Sequence, residues 1–402
     1  MDNIIIGSLV SFVISFYAIP VIIQVADMKK LYDIPDERKV HKTPIPSLGG
    51  LGIFIGFILG LLFSMNIADI SGEFQYYMAA FLVVFFFGIK DDILVLLPMK
   101  KFLGQVIVAG ILMFKGGLLI DNMHGFLGIT VLNPPISYLL TGITIIVVMN
   151  AYNLIDGVDG LAGTVGIIST SAFALFFYLN GDLFYSQLGF TFCAAIAAFL
   201  IYNYSPARIF MGDTGSMMIG AINAILVIHF IATAANSKIV PISAPPAIGF
   251  GILLLPLLDT LRVFAIRIMN GRSPFWPDRN HLHHLLLDKG LSHKAITLTL
   301  ASFSVLFIAI SYFLQPIGIT GTIFTQIGLF FIGIGILNFD KFRKRTTTKL
   351  AVVASETNSQ QFNDEIDNGF ARRFRNIVTF VNKRNANAEE IEVNEEDFNL
   401  NN

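Results

Sequence analysis

Charge is what this sequence has least of. Asp, Glu, Lys and Arg make up 14% of its 402 residues, where soluble domains carry roughly 25%; hydrophobic residues reach 54% and mean hydropathy is +0.69. That deficit points to lipid rather than water as the surrounding medium. Cysteine is nearly missing as well: Cys193 stands alone, which excludes a disulfide scaffold or a thiolate metal cluster, and its apolar surroundings read as a small core position. Basic residues are not in excess, 27 against 28 acidic, so bulk charge excludes a polybasic nucleic-acid binder. Met1-Asp2-Asn3 offers no positive leader region and no cleavage site follows, so the first apolar run reads as a retained helix. No internal repeat is visible.

What the sequence does have is apolar runs near the length of about 20 residues that a bilayer core requires. Eleven lie near 3–25, 48–65, 76–90, 102–119, 136–152, 161–179, 184–202, 214–234, 246–266, 296–314 and 321–339. They predict an all-α polytopic membrane protein with about eleven transmembrane helices. Loops after odd-numbered runs hold Lys29, Lys30, Arg38, Lys39, Lys42, Lys90, Lys100, Lys101, Arg208, Arg267, Arg272, Arg279, Lys289 and Lys294, whereas loops after even-numbered runs hold Lys115 and Lys238. Because Lys and Arg stay on the cytoplasmic side, the N-terminus is placed outside and the odd loops inside. The organisation expected is a membrane domain over 1–345 and a cytoplasmic tail over 346–402. The tail is rich in Asn, Gln, Ser and Glu and has little to bury. Within it, the spacing of Phe370, Phe374, Ile377 and Val381 among basic residues suits either an amphipathic helix near 370–384 on the inner leaflet or an unstructured basic patch.

Acidic residues near membrane helices usually mark function, and here they gather on one side. Five odd-loop segments carry dense polar and glycine signals. The first, 27–47 and the Gly49-Gly50 beyond it, combines Pro35, Pro44 and Pro46 with Arg38, Lys39, His41 and Lys42; it can meet phosphate or simply anchor the helix. In the second, Asp91 and Asp92 are adjacent at a helix end with Lys101 following. Neighbouring carboxylates repel unless a cation or proton is shared, and hard oxygen ligands of this kind suit Mg²⁺. The third, Asn150-Ala-Tyr-Asn153-Leu-Ile-Asp156-Gly-Val-Asp159-Gly, has no basic residue and lacks the remaining ligands of an EF-hand; its acceptors suit a nucleobase edge or a sugar hydroxyl, or only a turn. The fourth, Asn203 to Ser216, places Asp213 at a helix start, where free N–H groups favour an anion or a carboxylate-held metal and where an Asp also serves as a plain cap. Phe210 beside it offers a ring face to a base. The fifth runs Pro277-Asp-Arg279-Asn-His281-Leu-His283-His284; three imidazoles beside an arginine suit a pyrophosphate as well as a zinc ion. Asp259 and Arg262, three apart on a helix, read as an ion pair supporting that histidine loop.

Taken together, the five segments resemble the polyprenyl-phosphate N-acetylhexosamine-1-phosphate transferases, glycosyltransferase family 4, over about residues 1–340. Pro277-Asp-Arg-Asn-His-Leu-His-His284 looks like the bacterial undecaprenyl-phosphate N-acetylglucosamine-1-phosphate transferase branch rather than the muramoyl-pentapeptide branch with its three consecutive histidines. The resemblance implies transfer of a sugar-1-phosphate from a UDP-sugar to undecaprenyl phosphate, releasing UMP, at the cytoplasmic face of a bacterial inner membrane, as a first lipid-linked step toward lipopolysaccharide O-antigen or teichoic acid. It implies Asp91 and Asp92 as catalytic, Asn153 and Asp213 as the Mg²⁺ site, with Mn²⁺ as a substitute, and Lys101 as a phosphate ligand. By the same resemblance Asp156 and Asp159 contact uridine, Phe210 lies near uracil, and Arg279, His281, His283 and His284 cover sugar and pyrophosphate. Partners expected are the UDP-sugar, undecaprenyl phosphate, the bilayer and a second copy in a homodimer. Direct attack by the lipid phosphate and a covalent Asp intermediate both stay open, as does the choice among N-acetylglucosamine, N-acetylgalactosamine and a deoxy-amino sugar. The alternatives are a muramoyl-pentapeptide transferase and, from another class, an ion-coupled transporter, which predicts acids near the midplane and on both faces.

Overall fold

Apolar runs in this chain become helices wherever glycine and proline allow. The computed structural model describes residues 2–32, 44–65, 72–273, 280–337 and 379. In chain order the elements are α1 (Asp2–Lys29), α2 (Gly49–Ser64), α3 (Phe74–Leu94), α4 (Pro98–Phe114), a hairpin of β1 (Asn122–Phe126) and β2 (Ile129–Val131), α5 (Pro134–Ile155), α6 (Leu161–Leu179), α7 (Leu183–Asn203), α8 (Gly212–Thr233), α9 (Pro245–Ile252), α10 (Leu254–Met269), α11 (Leu282–Leu287), α12 (His293–Leu314) and α13 (Ile319–Leu337). Residues 1–330 form one compact unit and 331–402 a second. The predicted tail, with its helix near 370–384, lies outside the described residues apart from Thr379, as do Arg38, Lys39, His41, Lys42 and Arg279.

Among the described residues seven helices are long and apolar enough to cross a membrane: α1, α5, α6, α7, α8, α12 and α13. The run expected as one span over 246–266 is instead two helices, α9 and α10, which meet at 78° and make an eighth span if counted together. The break falls at Leu253, where α9 has run out through Gly249 and Gly251 and Pro256 sits in the first turn of α10. Proline is at home there but cannot continue a preceding helix. Among the described residues seven or eight spans therefore qualify by length and composition, fewer than the eleven expected. The runs near 48–65, 76–90 and 102–119 do form α2, α3 and α4, but α2 and α4 have 16 and 17 residues and α3 ends in the polar Lys90-Asp91-Asp92. The fold class stands as all-α and polytopic, with the short antiparallel hairpin between α4 and α5 as an addition that the apolar pattern did not announce.

The core is organised on α8, which is buried without interruption from Thr214 to Ile228. Around it pack α2, α3, α5, α6 and α9, while α1 lies against α2 and α7, and α12 against α6 and α9. Close approach needs residues without side chains. A Cβ at Gly88 of α3 would stand 2.5 Å from Thr214 Cα, so only glycine lets the end of α3 touch the start of α8. That single contact places the Asp91-Asp92 pair over the N-terminus of the central helix.

Candidate active site

The two adjacent aspartates face different ways, because neighbours on a helix diverge by about 100°. Asp92 turns to α8. Its Oδ1 accepts from the Asp213 backbone N–H at 2.6 Å, and its Oδ2 from the Thr214 hydroxyl at 2.6 Å and N–H at 3.2 Å. The carboxylate of one helix thus caps the free N–H groups of another, a favourable placement for negative charge. Gly212 makes room: its φ is +71° and a Cβ there would lie 2.6 Å from Asp92 Oδ1. The Pro46–Leu48 segment and the start of α2 hold the same turn from the other side, with Phe210 N–H donating to Pro46 O, and Gly49 and Gly50 N–H donating to Phe210 O and Met211 O, at 2.8–2.9 Å.

Asp91 turns instead to the centre of the cluster. It is buried and accepts from the Leu96 backbone N–H, and its Oδ2 lies 3.2 Å from Lys101 Nζ. Lys101 also pairs with Asp213 and donates to Asn153 Oδ1 at 3.2 Å. Asn153 in turn donates to Asp213 and, at 3.0 Å, to Ser216 Oγ. Asp91, Lys101, Asn153 and Asp213, from four different helices, therefore share one point. It is accessible: the Lys101 and Asp213 side chains keep 19% and 26% of their exposure. Asp156, at the end of α5, joins them electrostatically. Burial first, and then the Asp213, Asp92 and Asp159 carboxylates, push its pKa up to about 7. The Lys101 ammonium pairs with two of these carboxylates, Asp91 and Asp213.

The third segment divides in the same way as the second. Asp159 is 4% exposed and anchors the turn: Oδ2 accepts from Ala207 N–H at 3.2 Å, Oδ1 lies 3.3 Å from His293 Nδ1, and its carbonyl accepts from Thr297 at 2.9 Å. Gly160 N–H donates to Asn203 Oδ1 at 2.8 Å, so the 156–160 turn, the 203–211 loop and α12 form one tied unit.

In the histidine segment, Asp259 is the hub. It is 2% exposed and accepts from Arg262, from His281 Nδ1 and from the Leu282 N–H, each at 3.0 Å; Arg262 also donates to Asn280 O. His281 Nε2 then faces Arg267 at 3.4 Å, which fixes the Nδ1–H tautomer. The expected Asp259–Arg262 pair is present, and it carries His281 with it. His283 stacks parallel to His281 with centroids 5.7 Å apart and lies 4.3 Å from His284. It stands over the Asp156 turn, where a Cβ at Gly157 would come 2.4 Å from its Nε2. Burial, then the neighbouring His284, drive its pKa down to about 3, so the ring is neutral.

Of the residues expected at the site, Asp91, Lys101, Asn153 and Asp213 meet directly, Asp156 faces them, and His283 overhangs Asp156. Asp92, Asp159 and His281 are held in the framework beneath. Phe210 is half-buried next to the cap turn. Gln105, His293 and Thr297 escaped the sequence reading. Gln105 sits one helical turn beyond Lys101 and exchanges amide hydrogen bonds with Asn150 at 2.8 and 3.2 Å; a polar residue at i+4 from Lys101 in an apolar helix was the available signal. His293 and Thr297 had none.

A divalent cation can be tested against this donor set. Two carboxylates and an amide oxygen surround Lys101 Nζ, and hard oxygens in that number suit Mg²⁺, which takes one or two carboxylates and completes its shell with water and phosphate. Among the described residues no three His, Cys, Asp or Glu are grouped so as to hold an ion by themselves.

Comparison with known proteins agrees with this geometry. The model of glycosyl transferase family 4 matches residues 74–231, the stretch that supplies every expected site residue except the histidine segment. The decaprenyl-phosphate N-acetylglucosaminephosphotransferase of Mycobacterium leprae (strain TN) is 31% identical over 316 residues, 71% of this chain and 77% of the relative. The undecaprenyl-phosphate alpha-N-acetylglucosaminyl 1-phosphate transferase of Escherichia coli K12 is 29% identical over 287 residues, 69% and 76% of the two chains. The family match over 74–231 and a relative 31% identical across most of both chains lead to one statement: the chain belongs to glycosyl transferase family 4.

Proposed function

We propose that this protein transfers N-acetylglucosamine-1-phosphate from UDP-N-acetylglucosamine to undecaprenyl phosphate, forming undecaprenyl-pyrophosphoryl-N-acetylglucosamine and UMP. One observation carries the reading: Asp91, Lys101, Asn153 and Asp213 converge from four helices on one accessible point, with Asp156 at the end of the helix that carries Asn153, and carboxylates there outnumber the ammonium. Such a surplus demands a cation, and a reaction between two phosphates demands charge neutralisation and alignment above all. The relatives named above act on polyprenyl phosphates, which supports the acceptor class.

Asn153 and Asp213, with Asp91 adjacent, would hold Mg²⁺, or Mn²⁺ in its place. Such an ion, when bound, neutralises phosphate oxygens and polarises phosphorus. Lys101 binds a non-bridging phosphate oxygen once its carboxylates have another cation to face. The lipid phosphate oxygen then attacks the β-phosphorus of the donor in line. A new P–O bond joins the two phosphates, the bond from β-phosphorus to the bridging oxygen breaks, and that oxygen leaves with UMP. Direct attack is favoured over an aspartyl intermediate because Asp92 already accepts three hydrogen bonds from α8 and Asp91 is held by Leu96 N–H and Lys101; carboxylates so engaged are poor nucleophiles. Asp91 orients the acceptor and takes its proton where one is present. Neutral His283 lies above Asp156, where a nucleoside or sugar hydroxyl finds both a donor and an acceptor. The positive-inside pattern places this chemistry at the cytoplasmic face of the inner membrane.

The test is UMP release by purified protein in detergent with Mg²⁺, undecaprenyl phosphate and UDP-N-acetylglucosamine, run beside an EDTA control and a panel of other UDP-sugars. Release that needs both lipid and metal is expected. Release with UDP-N-acetylmuramoyl-pentapeptide alone would move the protein to the muramoyl branch.

A further inference from the structure

The turn that carries the aspartate pair ends in a surface that phosphate chemistry does not explain. Beyond Asp92 the chain reads Ile93-Leu94-Val95-Leu96-Leu97-Pro98-Met99, with no charged or hydrogen-bonding side chain. This stretch is open: Val95 is 84% exposed, Met99 75% and Leu97 66%. An exposed apolar tip on a water-facing loop is an interaction or aggregation site. Here it continues outward-facing apolar stripes on its two flanking helices, Leu82 and Phe86 on α3 and Phe102 and Val106 on α4, within a chain rich in helices apolar enough to cross a membrane. Lys90 and Lys100 are exposed on either side, and Lys90 Nζ lies 5.9 Å from the Phe86 ring. Lysines beside apolar surface lay their stems along it and lift the ammonium to the headgroups, and they attract an anionic leaflet.

The backbone holds this tip outward from the site. Val95 sits at φ 50°, a backbone conformation that a β-branched residue rarely adopts. The turn is fixed by Val95 N–H on Asp91 O at 2.9 Å and by Leu96 N–H on the Asp91 carboxylate. Lys101 of α4 returns to Asp91 at 3.2 Å and closes the base. Leu94 and Val95 therefore stand about one helical turn, roughly 5 Å, farther from the bundle centre than Asp91.

We infer that Ile93–Met99 is a membrane-seated lip whose occupant is bilayer lipid: its side chains enter the acyl region of the leaflet on the site's side. Asp91 and Lys101 then lie at or below the headgroup plane. Resting on the function proposed above, this means that a lipid-anchored phosphate reaches them without leaving the leaflet.

The test places a Cys at the tip. In a Cys193→Ala background, Val95→Cys, and in parallel Met99→Cys, is labelled with a nitrobenzoxadiazole probe and reconstituted in phosphatidylcholine–phosphatidylglycerol vesicles. Blue-shifted emission is expected, quenched severalfold by lipid spin-labelled near the top of the acyl chain and little by aqueous iodide. Strong iodide quenching at both positions overturns the lip, and efficient cross-linking between copies through a bis-maleimide would reassign the surface to a second copy of the chain. A kinetic arm uses Val95→Asn, since asparagine tolerates this backbone conformation: the KM for polyprenyl phosphate in vesicles should rise about five- to tenfold with donor KM and kcat within twofold. A fall in kcat instead would mean that the turn acts only through Asp91 and would overturn the lipid role. Failure of the wild-type protein to release UMP would count against the proposed function, while the probe depth would still decide the lip.

Discussion

The helix bundle carries a polar cluster at each end, and the two are balanced differently. Opposite the site, His229 at the end of α8 bonds Asp182 at 2.7 Å, Tyr185 stacks on the His229 ring with centroids 3.5 Å apart, and the Tyr185 and Tyr77 hydroxyls meet at 2.9 Å. Each of these four side chains is paired with another. At the other end of α8, Lys101 pairs with Asp91 and Asp213 and donates to the Asn153 amide, while Asp92 and Asp156 add two further carboxylates that feel Asp213. Both clusters are polar groups at helix ends, so polarity alone does not mark function. Imbalance does, because uncompensated carboxylates cost stability and persist where something else supplies the missing charge.

The sharpest way to break the comparison is to remove the centre of the surplus. Asp213→Ala should lower turnover by at least about 1,000-fold, in keeping with loss of a metal ligand in phosphoryl transfer, while the protein still inserts and elutes as the wild type does on size exclusion. UMP release near the wild-type rate would sink the metal assignment. Next comes the support beneath the histidines. Asp259→Asn leaves Arg262 and His281 without their shared carboxylate, and truncating one partner of a buried charge pair is expensive. Its kcat/KM for the donor should fall about 10- to 100-fold with the KM for the lipid acceptor unchanged, measured by varying each substrate in turn. An equal effect on both substrates would place Asp259 in general folding rather than under the histidine loop.

The surplus itself can be titrated. Asp156 holds its proton up to about pH 7 in the folded protein but to about 4 when unfolded, so its contribution to stability is present below pH 4 and is lost as pH rises through 7. Asp156→Asn should therefore raise the melting temperature of the ligand-free protein by about 3 °C at pH 8, less at pH 5 and not at pH 4, while turnover falls about tenfold. Saturating Mg²⁺ and donor should shrink the gain. Thermal shift and UMP release on the same samples check both halves; a lower melting temperature at pH 8 would show that Asp156 is a structural member.

These distinctions define what could be read from sequence. The loops holding Asp91, Asn153, Asp213 and His283 were legible as one chemical surface because parity along the apolar runs puts them at one end of the bundle, and the structure joins them there. Their division of labour was not legible. Asp91 and Asp92 are identical in type and adjacent, and only the approach of α3 to α8 through Gly88 sends one to Lys101 and the other to cap α8. Asp159 and His281 look like ligands in a motif, yet each is consumed by a partner more than twenty residues away, His293 and Asp259. The bend at Leu253 was hidden for a similar reason: an apolar run does not reveal its direction, and Pro256 in a first turn is compatible with a helix that begins there.

The smallest effect belongs to the balanced end, and it tests whether balance is the right criterion. In Asp182→Asn and His229→Gln each side chain keeps its approximate shape and some hydrogen-bonding capacity, and the pair is partly exposed, 32% and 21% for the two side chains, so screening limits its worth to about 1 kcal/mol or less. The melting temperature should fall by about 1–3 °C and turnover per folded molecule should stay within twofold, because Asp182, His229, Tyr185 and Tyr77 are paired among themselves. The same assays used at the site suffice. A tenfold loss of turnover from either substitution, with melting unchanged, would mean that the two ends of α8 communicate through its buried length, and charge imbalance would then no longer separate the functional end from the structural one.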